Sequence, residues 1–174
     1  MADLKVGDSV LSADAAGKLS FSDVVFLPHG TNSKKADFVA VTTESGKIIK
    51  ATPSHLLQAC DGSLVQAKAA SCLRTVDGAE SVKSIDRFMA EGIYTAVTLK
   101  NEFLVVDGVV ASPFAMAHTL ADAYYNAHRA LYTVSPSLVK VPSMVSANSL
   151  VGAAAVYVVH SLRSLHQGAK SVIF

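Results

Sequence analysis

Turn signals constrain this chain more than any other feature. Between Leu4 and Ser112, Gly, Asp and Pro recur so often that the apolar runs between them are short. Val10-Leu11 follows Gly7-Asp8-Ser9, and Ala13 to Lys18, with Gly17, reads as a polar turn. Phe21 to Leu27 is aromatic and β-branched, and Pro28-His29-Gly30 stops it. Asp37 to Thr43 alternates, Glu44 to Lys47 predicts a hairpin turn, and Ile48 to Ala51 is the return strand. Further strands are expected at Ser81 to Phe88, Gly92 to Leu99 and Phe103 to Val106. Asp107-Gly108 then predicts a type I′ turn into Val109-Val110. Short strands in this number specify a mostly β body.

The pattern changes at Ser112-Pro113. Ser is a good N-cap and Pro is accepted at the first helical position, so a helix is expected over Ala115 to Tyr132. Its apolar residues, among them Met116, Leu120 and Leu131, recur near helical period. Thr133 to Pro142 reads as a linker. A second helical segment, Ser143 to about Gly168, holds the apolar run Leu150 to Val159. Val141 to Leu162 carries no charge, but Ser and Asn dilute it, so a packed or partner-facing helix is favoured over membrane contact and over a true span.

At 174 residues the chain suits one domain with a short appendix, long enough to bury a sizeable core. A net charge of +1 with scattered Lys and Arg leaves no basic footprint, so no nucleic-acid partner is expected. Cys60 and Cys72 lack C-x-x-C spacing; buried free thiols are the favoured reading, with one disulfide as the alternative. The polar opening from Met1 to Asp8 is no secretory leader, although one could lie upstream. No cofactor is expected. His118, Asp122 and His128 offer too few converging ligands for a metal, and His160 and His166 read as the polar end of the last helix.

The stretch that carries chemistry is Thr52-Pro53-Ser54-His55, directly after the Gly46 hairpin. The run VTTESGKIIKATPSHLL resembles the region of Hint domains in which a hairpin delivers Thr and His to the reaction centre. LKVGDSVLS resembles a strand of hedgehog C-terminal domains, and FLVVDGVVASPFA resembles their closing strand pair. The three matches keep the family's order and cover roughly residues 4 to 115. The resemblance implies a Hint-type β disc with pseudo-two-fold halves over residues 1–113, and a helical tail over 114–174 that associates with lipid or membrane.

Hint modules convert the amide before a Cys into a thioester, which a second nucleophile attacks. Amide nitrogen leaves poorly unless protonated, and a His near neutral pKa can supply that proton. By resemblance His55 takes this role, and Thr52 positions or polarises the scissile peptide. His29 stands where hedgehog proteins place an acidic residue that deprotonates the acceptor alcohol. The substrate would be the chain's own N-terminal segment in cis, the acceptor a lipid alcohol, water or a thiol, and the setting secretory or extracellular.

Departures from the family are equally specific. No Cys stands near the start, Pro113 occupies the place of a second Cys, and the His-Asn ending of inteins does not follow Ser112. These residues point to cleavage and transfer rather than splicing, and to an inactive chain unless a Cys lies upstream. The competing expectations are a degenerate Hint domain acting as a binding module, and an unrelated β domain with a membrane-associating tail.

Overall fold

The computed structural model describes residues 1–28, 35–100, 103–114 and 118–137. Residues through His118 form one compact unit, and the helix running on from Thr119 belongs to a second. The first unit is mostly β, built on antiparallel pairing throughout.

In chain order the strands are β1 (Ser9–Ala13), β2 (Leu19–Phe26), β3 (Lys35–Thr43), β4 (Ile48–Ala51), β5 (Leu56–Gln58) and β6 (Leu64–Gln66). A 3₁₀ turn at Ala67–Ala69 leads to β7 (Cys72–Thr75), β8 (Gly78–Glu91), β9 (Val97–Thr98), β10 (Phe103–Val106) and β11 (Val109–Ala111). Their spatial order is β4-β3-β8-β7-β11-β10-β1-β2-β9, with β5 bridging β11 and β6. The long β8 does the joining: its start pairs with β7 (Thr75↔Gly78) and its remainder with β3 (Phe38↔Phe88).

Two of the expected turns form for the expected reason. Asp107 and Gly108 both take positive φ, +49° and +82°, as a type I′ hairpin requires. Gly46 closes the β3–β4 hairpin at φ +89°, donating its N–H to the Thr43 carbonyl.

Alternation along β3 sends Val39 and Val41 inward. They meet Ile49, Leu57, Leu73 and Val109 in one apolar cluster between β3, β4, β5, β7 and β11. A second cluster gathers Val24, Ala96 and Leu104, with Val10 and Leu27 against it, and the half-buried Val106 packs on both.

Several expectations need correction. Gly92 to Leu99 is not one strand: Gly92 turns at φ +86°, and only Val97–Thr98 pairs. Strands β5, β6 and β7 add to the expected set, each being only three or four residues long. Cys60 and Cys72 are not free thiols; they form a disulfide with Cα atoms 5.5 Å apart, a separation that suits the bond. Ser112 does not cap a helix. The helix α1 runs His118–Val134, and all three polar groups of Ser112 are engaged in the β unit. Among the described residues no helix is long and apolar enough to cross a membrane, and no three His, Cys, Asp or Glu side chains converge as a metal site. The segment from Ser143 to Gly168, with His160 and His166, lies outside the described residues.

Candidate functional site

Thr52 to His55 is a β-turn, and its sequence explains why. Pro53 fixes φ at the second turn position, and the His55 N–H closes the turn on the Thr52 carbonyl at 2.9 Å. Thr52 and His55 therefore stand at the two ends of one turn, with Cα atoms within about 7 Å. The 3₁₀ segment holds the turn from the other side: Ala67 N–H donates to the His55 carbonyl at 2.8 Å and Lys68 N–H to the Pro53 carbonyl at 3.1 Å.

Past His55 the chain enters β5, which pairs with β11 at Leu57↔Ala111. One residue further on, Ser112 N–H donates to the Leu56 carbonyl at 2.9 Å. This register brings the Ser112 carbonyl onto the His55 ring, 2.8 Å from Nε2. A carbonyl oxygen only accepts, so Nε2 carries the proton in this contact. In the neutral ring Nδ1 is then the basic nitrogen, and it has no partner among the described residues. Burial pushes the His55 pKa below its usual value, because taking the imidazolium out of water is costly; the Ser112 carbonyl opposes this more weakly. Burial therefore favours the uncharged ring.

The Thr52 hydroxyl makes no hydrogen bond among the described residues, while its half-buried position keeps it beside the turn. His29 lies outside the described residues. Three neighbours of the site were not read as such in the sequence. Thr95 donates its hydroxyl proton to the Pro113 carbonyl at 2.7 Å, and Ser112 Oγ accepts the Phe114 N–H at 3.1 Å. Gln58 is fully buried and donates through Nε2 to the Ala15 carbonyl at 3.1 Å. Thr95 and Gln58 belong to no recognisable motif, and Ser112 stood out only as a helix cap and within the closing-strand resemblance; the contacts of each depend on which strand lies beside it.

A histidine with one nitrogen anchored on backbone and the other open can move a proton at the open atom. It lies beside an uncommitted hydroxyl, on a corner built from two distant chain segments. Known proteins share the sequence and fold around it. The family model described as the Hint module matches residues 1–162. The Sonic hedgehog protein of Danio rerio is 33% identical over 155 residues, covering 78% of this chain and 37% of that protein. Warthog protein 1 of Caenorhabditis elegans is 31% identical over 140 residues, covering 72% of this chain and 28% of that protein. The chain thus spans well under half the length of these curated relatives. Among solved structures, the gp41-1 intein shares the fold at TM-score 0.51 and 16% identity, covering 64% of this chain and 84% of that one. A DnaB intein from Synechocystis does so at TM-score 0.51 and 16% identity, covering 62% and 79%. The chain belongs to the Hint family, with relatives among hedgehog and warthog proteins.

Proposed function

We propose that this chain is the larger part of a hedgehog-type autoprocessing domain, which cleaves its own precursor through a thioester and passes the N-terminal segment to an outside nucleophile. The observation that carries the reading is the state of His55: Nε2 anchored on the Ser112 carbonyl, Nδ1 open and the ring held neutral by burial.

A neutral imidazole first takes the proton of the attacking thiol. As sulfur bonds to the carbonyl carbon, the imidazolium becomes the acid. Its proton goes to the amide nitrogen, the carbon–nitrogen bond breaks and a thioester remains. Burial strengthens that acid, which favours the second transfer. In this reading the Thr52 hydroxyl donates to the scissile carbonyl, where negative charge develops. His29 is assigned to the acceptor, removing its proton as the alcohol, water or thiol attacks the thioester. Cys60 and Cys72 are tied to each other, so the attacking thiol comes from a residue that precedes Met1 in the precursor. We also assign residues 1–113 to a disc of two related halves, an arrangement supported by the two apolar clusters sharing Val106. Residues 114–174 are assigned to acceptor and lipid contact, and to no catalytic step.

The test is intact mass of a precursor extended upstream to include a Cys, followed with and without an added thiol. Thiol-dependent release of the N-terminal segment, abolished by His55→Ala, supports the proposal. A folded, Cys-bearing precursor that stays whole would overturn it and leave a binding module. Pro113, standing where a thiol is expected, is the feature that favours that second reading.

A further inference from the structure

The corner that receives His55 needs support of its own. Its carbonyl belongs to Ser112, the last residue before a proline. Proline contributes no N–H, so the Ser112–Pro113 peptide cannot be fixed by a donor at residue 113. Among the described residues three hydrogen bonds support the corner. Ser112 N–H is on Leu56, Phe114 N–H returns to Ser112 Oγ, and Thr95 Oγ1 donates to the Pro113 carbonyl. The first two tie Ser112 from upstream and from its own side chain. The Thr95 bond, the shortest of the three at 2.7 Å, is the one that takes the Pro113 carbonyl itself. It spans 18 residues of sequence, from the loop that Gly92 opens before β9. Ser112 is 1% exposed and Phe114 6%, so water has little access to replace a lost donor.

We propose that Thr95 is a positioning residue: by holding the Pro113 carbonyl it orients the Ser112 carbonyl toward His55, and so selects the imidazole tautomer that leaves Nδ1 free for the reacting amide. The inference rests on the role proposed for His55, but its first readout does not require cleavage. Without the Thr95 hydroxyl the Pro113 peptide turns toward another donor. The Ser112 carbonyl then moves off Nε2, and the His55 ring populates both tautomers. Serine keeps the hydroxyl and loses a methyl group. Valine keeps the shape and loses the donor.

The experiment is ring-nitrogen NMR of His55 in the 174-residue chain, as wild type, Thr95→Ser and Thr95→Val. Signals are assigned by the one missing from His55→Gln. The wild type and T95S are expected to show a single tautomer protonated at Nε2. T95V is expected to show a mixture, with the imidazole pKa moved further below its ordinary value, because the Ser112 carbonyl is the contact that raises it. Should T95V fail to melt cooperatively, Thr95→Ala replaces it, which removes the branched side chain and still lacks the donor. An unchanged tautomer in the folded valine or alanine protein would overturn the proposal. So would a serine protein that behaves like the valine one, since the hydroxyl would then be irrelevant. In the Cys-extended precursor, T95V is expected to slow thioester formation about tenfold, with T95S near wild type. A wild-type precursor that never cleaves would refute the autoprocessing reading while leaving the tautomer result standing.

Discussion

Breaking the Cys60–Cys72 bond should cost the β unit a large part of its stability, and the size follows from chain length alone. The two residues are 12 apart in sequence, so the bond closes a ring of about 13 residues in the unfolded chain. The chain-entropy relation for such a ring gives about 3 kcal/mol at 25 °C. For a protein of this size that corresponds to a fall in Tm on the order of 10 °C. The ring encloses β6 and the 3₁₀ segment that covers the Thr52–His55 turn, so the loss should be felt at the site. Urea unfolding of the oxidised and reduced chain, beside the Cys60→Ser/Cys72→Ser double variant, measures it. Reduced and double-variant proteins should agree, because both lack the bond and the half-buried positions tolerate a hydroxyl at the margin. Amide exchange should also quicken at Ala67 and Lys68, whose N–H groups hold the turn. Alkylation of both cysteines without reductant would refute the pairing. A change below about 1 kcal/mol would refute the ring argument and point to an unfolded chain already compact across this stretch.

Three further outcomes are expected. Glu80 accepts from Lys47 Nζ, Ser45 and Thr75, and the Lys47 ammonium heads the causes that bring its pKa down to about 2. Its folded pKa lies below the unfolded value, so the wild type should lose stability as pH falls from about 4.5 toward 2, and Glu80→Gln should flatten that part of the melting-versus-pH curve. His55 is likewise lowered, by burial, but it is a base; the unfolded state takes up its proton first, so stability should fall as pH drops below about 6.5. His55→Gln should remove that slope in a pH series of urea midpoints, and a slope that persists would assign it to another group. Leu57 is fully buried in the larger apolar cluster, so Leu57→Ala should cost about 2–5 kcal/mol in the same assay.

What could be read from the sequence was what is decided within a few residues. Asp107-Gly108 and Gly46 announce their turns because positive φ is a local demand, and both turns form. Thr52 and His55 were legible as a pair only through the resemblance to Hint domains; the turn that Pro53 sets between them is what the structure adds. Strands β5, β6 and β7 are too short to show alternation, and they exist because β11, β8 and each other lie alongside. The disulfide depends on a Cα separation created by those pairings, including the bridge from Ala59 to Leu73. Ser112 shows the limit most clearly. Serine before proline suits a helix start, yet its N–H, carbonyl and hydroxyl are taken by Leu56, His55 and Phe114. No local pattern separates a serine that caps from one enclosed by tertiary bonds.

Pro113 then has a structural part of its own. Proline disfavours helical backbone in the residue before it and pushes that residue to extended geometry. Extended geometry is what Ser112 needs to carry the β11 direction one step further and place its N–H on Leu56. With that N–H fixed, the carbonyl of the same residue is left facing the end of the turn that bears His55. Proline therefore stiffens the corner from within, while Thr95 restrains it from outside at the next carbonyl. Replacing Pro113 by Cys would add a thiol, but it would also release Ser112 from this bias and loosen the support of the histidine. The two effects separate by measurement. Pro113→Ala releases the backbone without adding sulfur, and it should broaden the His55 tautomer population as Thr95→Val does. If Pro113→Ala leaves the imidazole unchanged, hydrogen bonds alone hold the corner and the proline has no part in orienting His55.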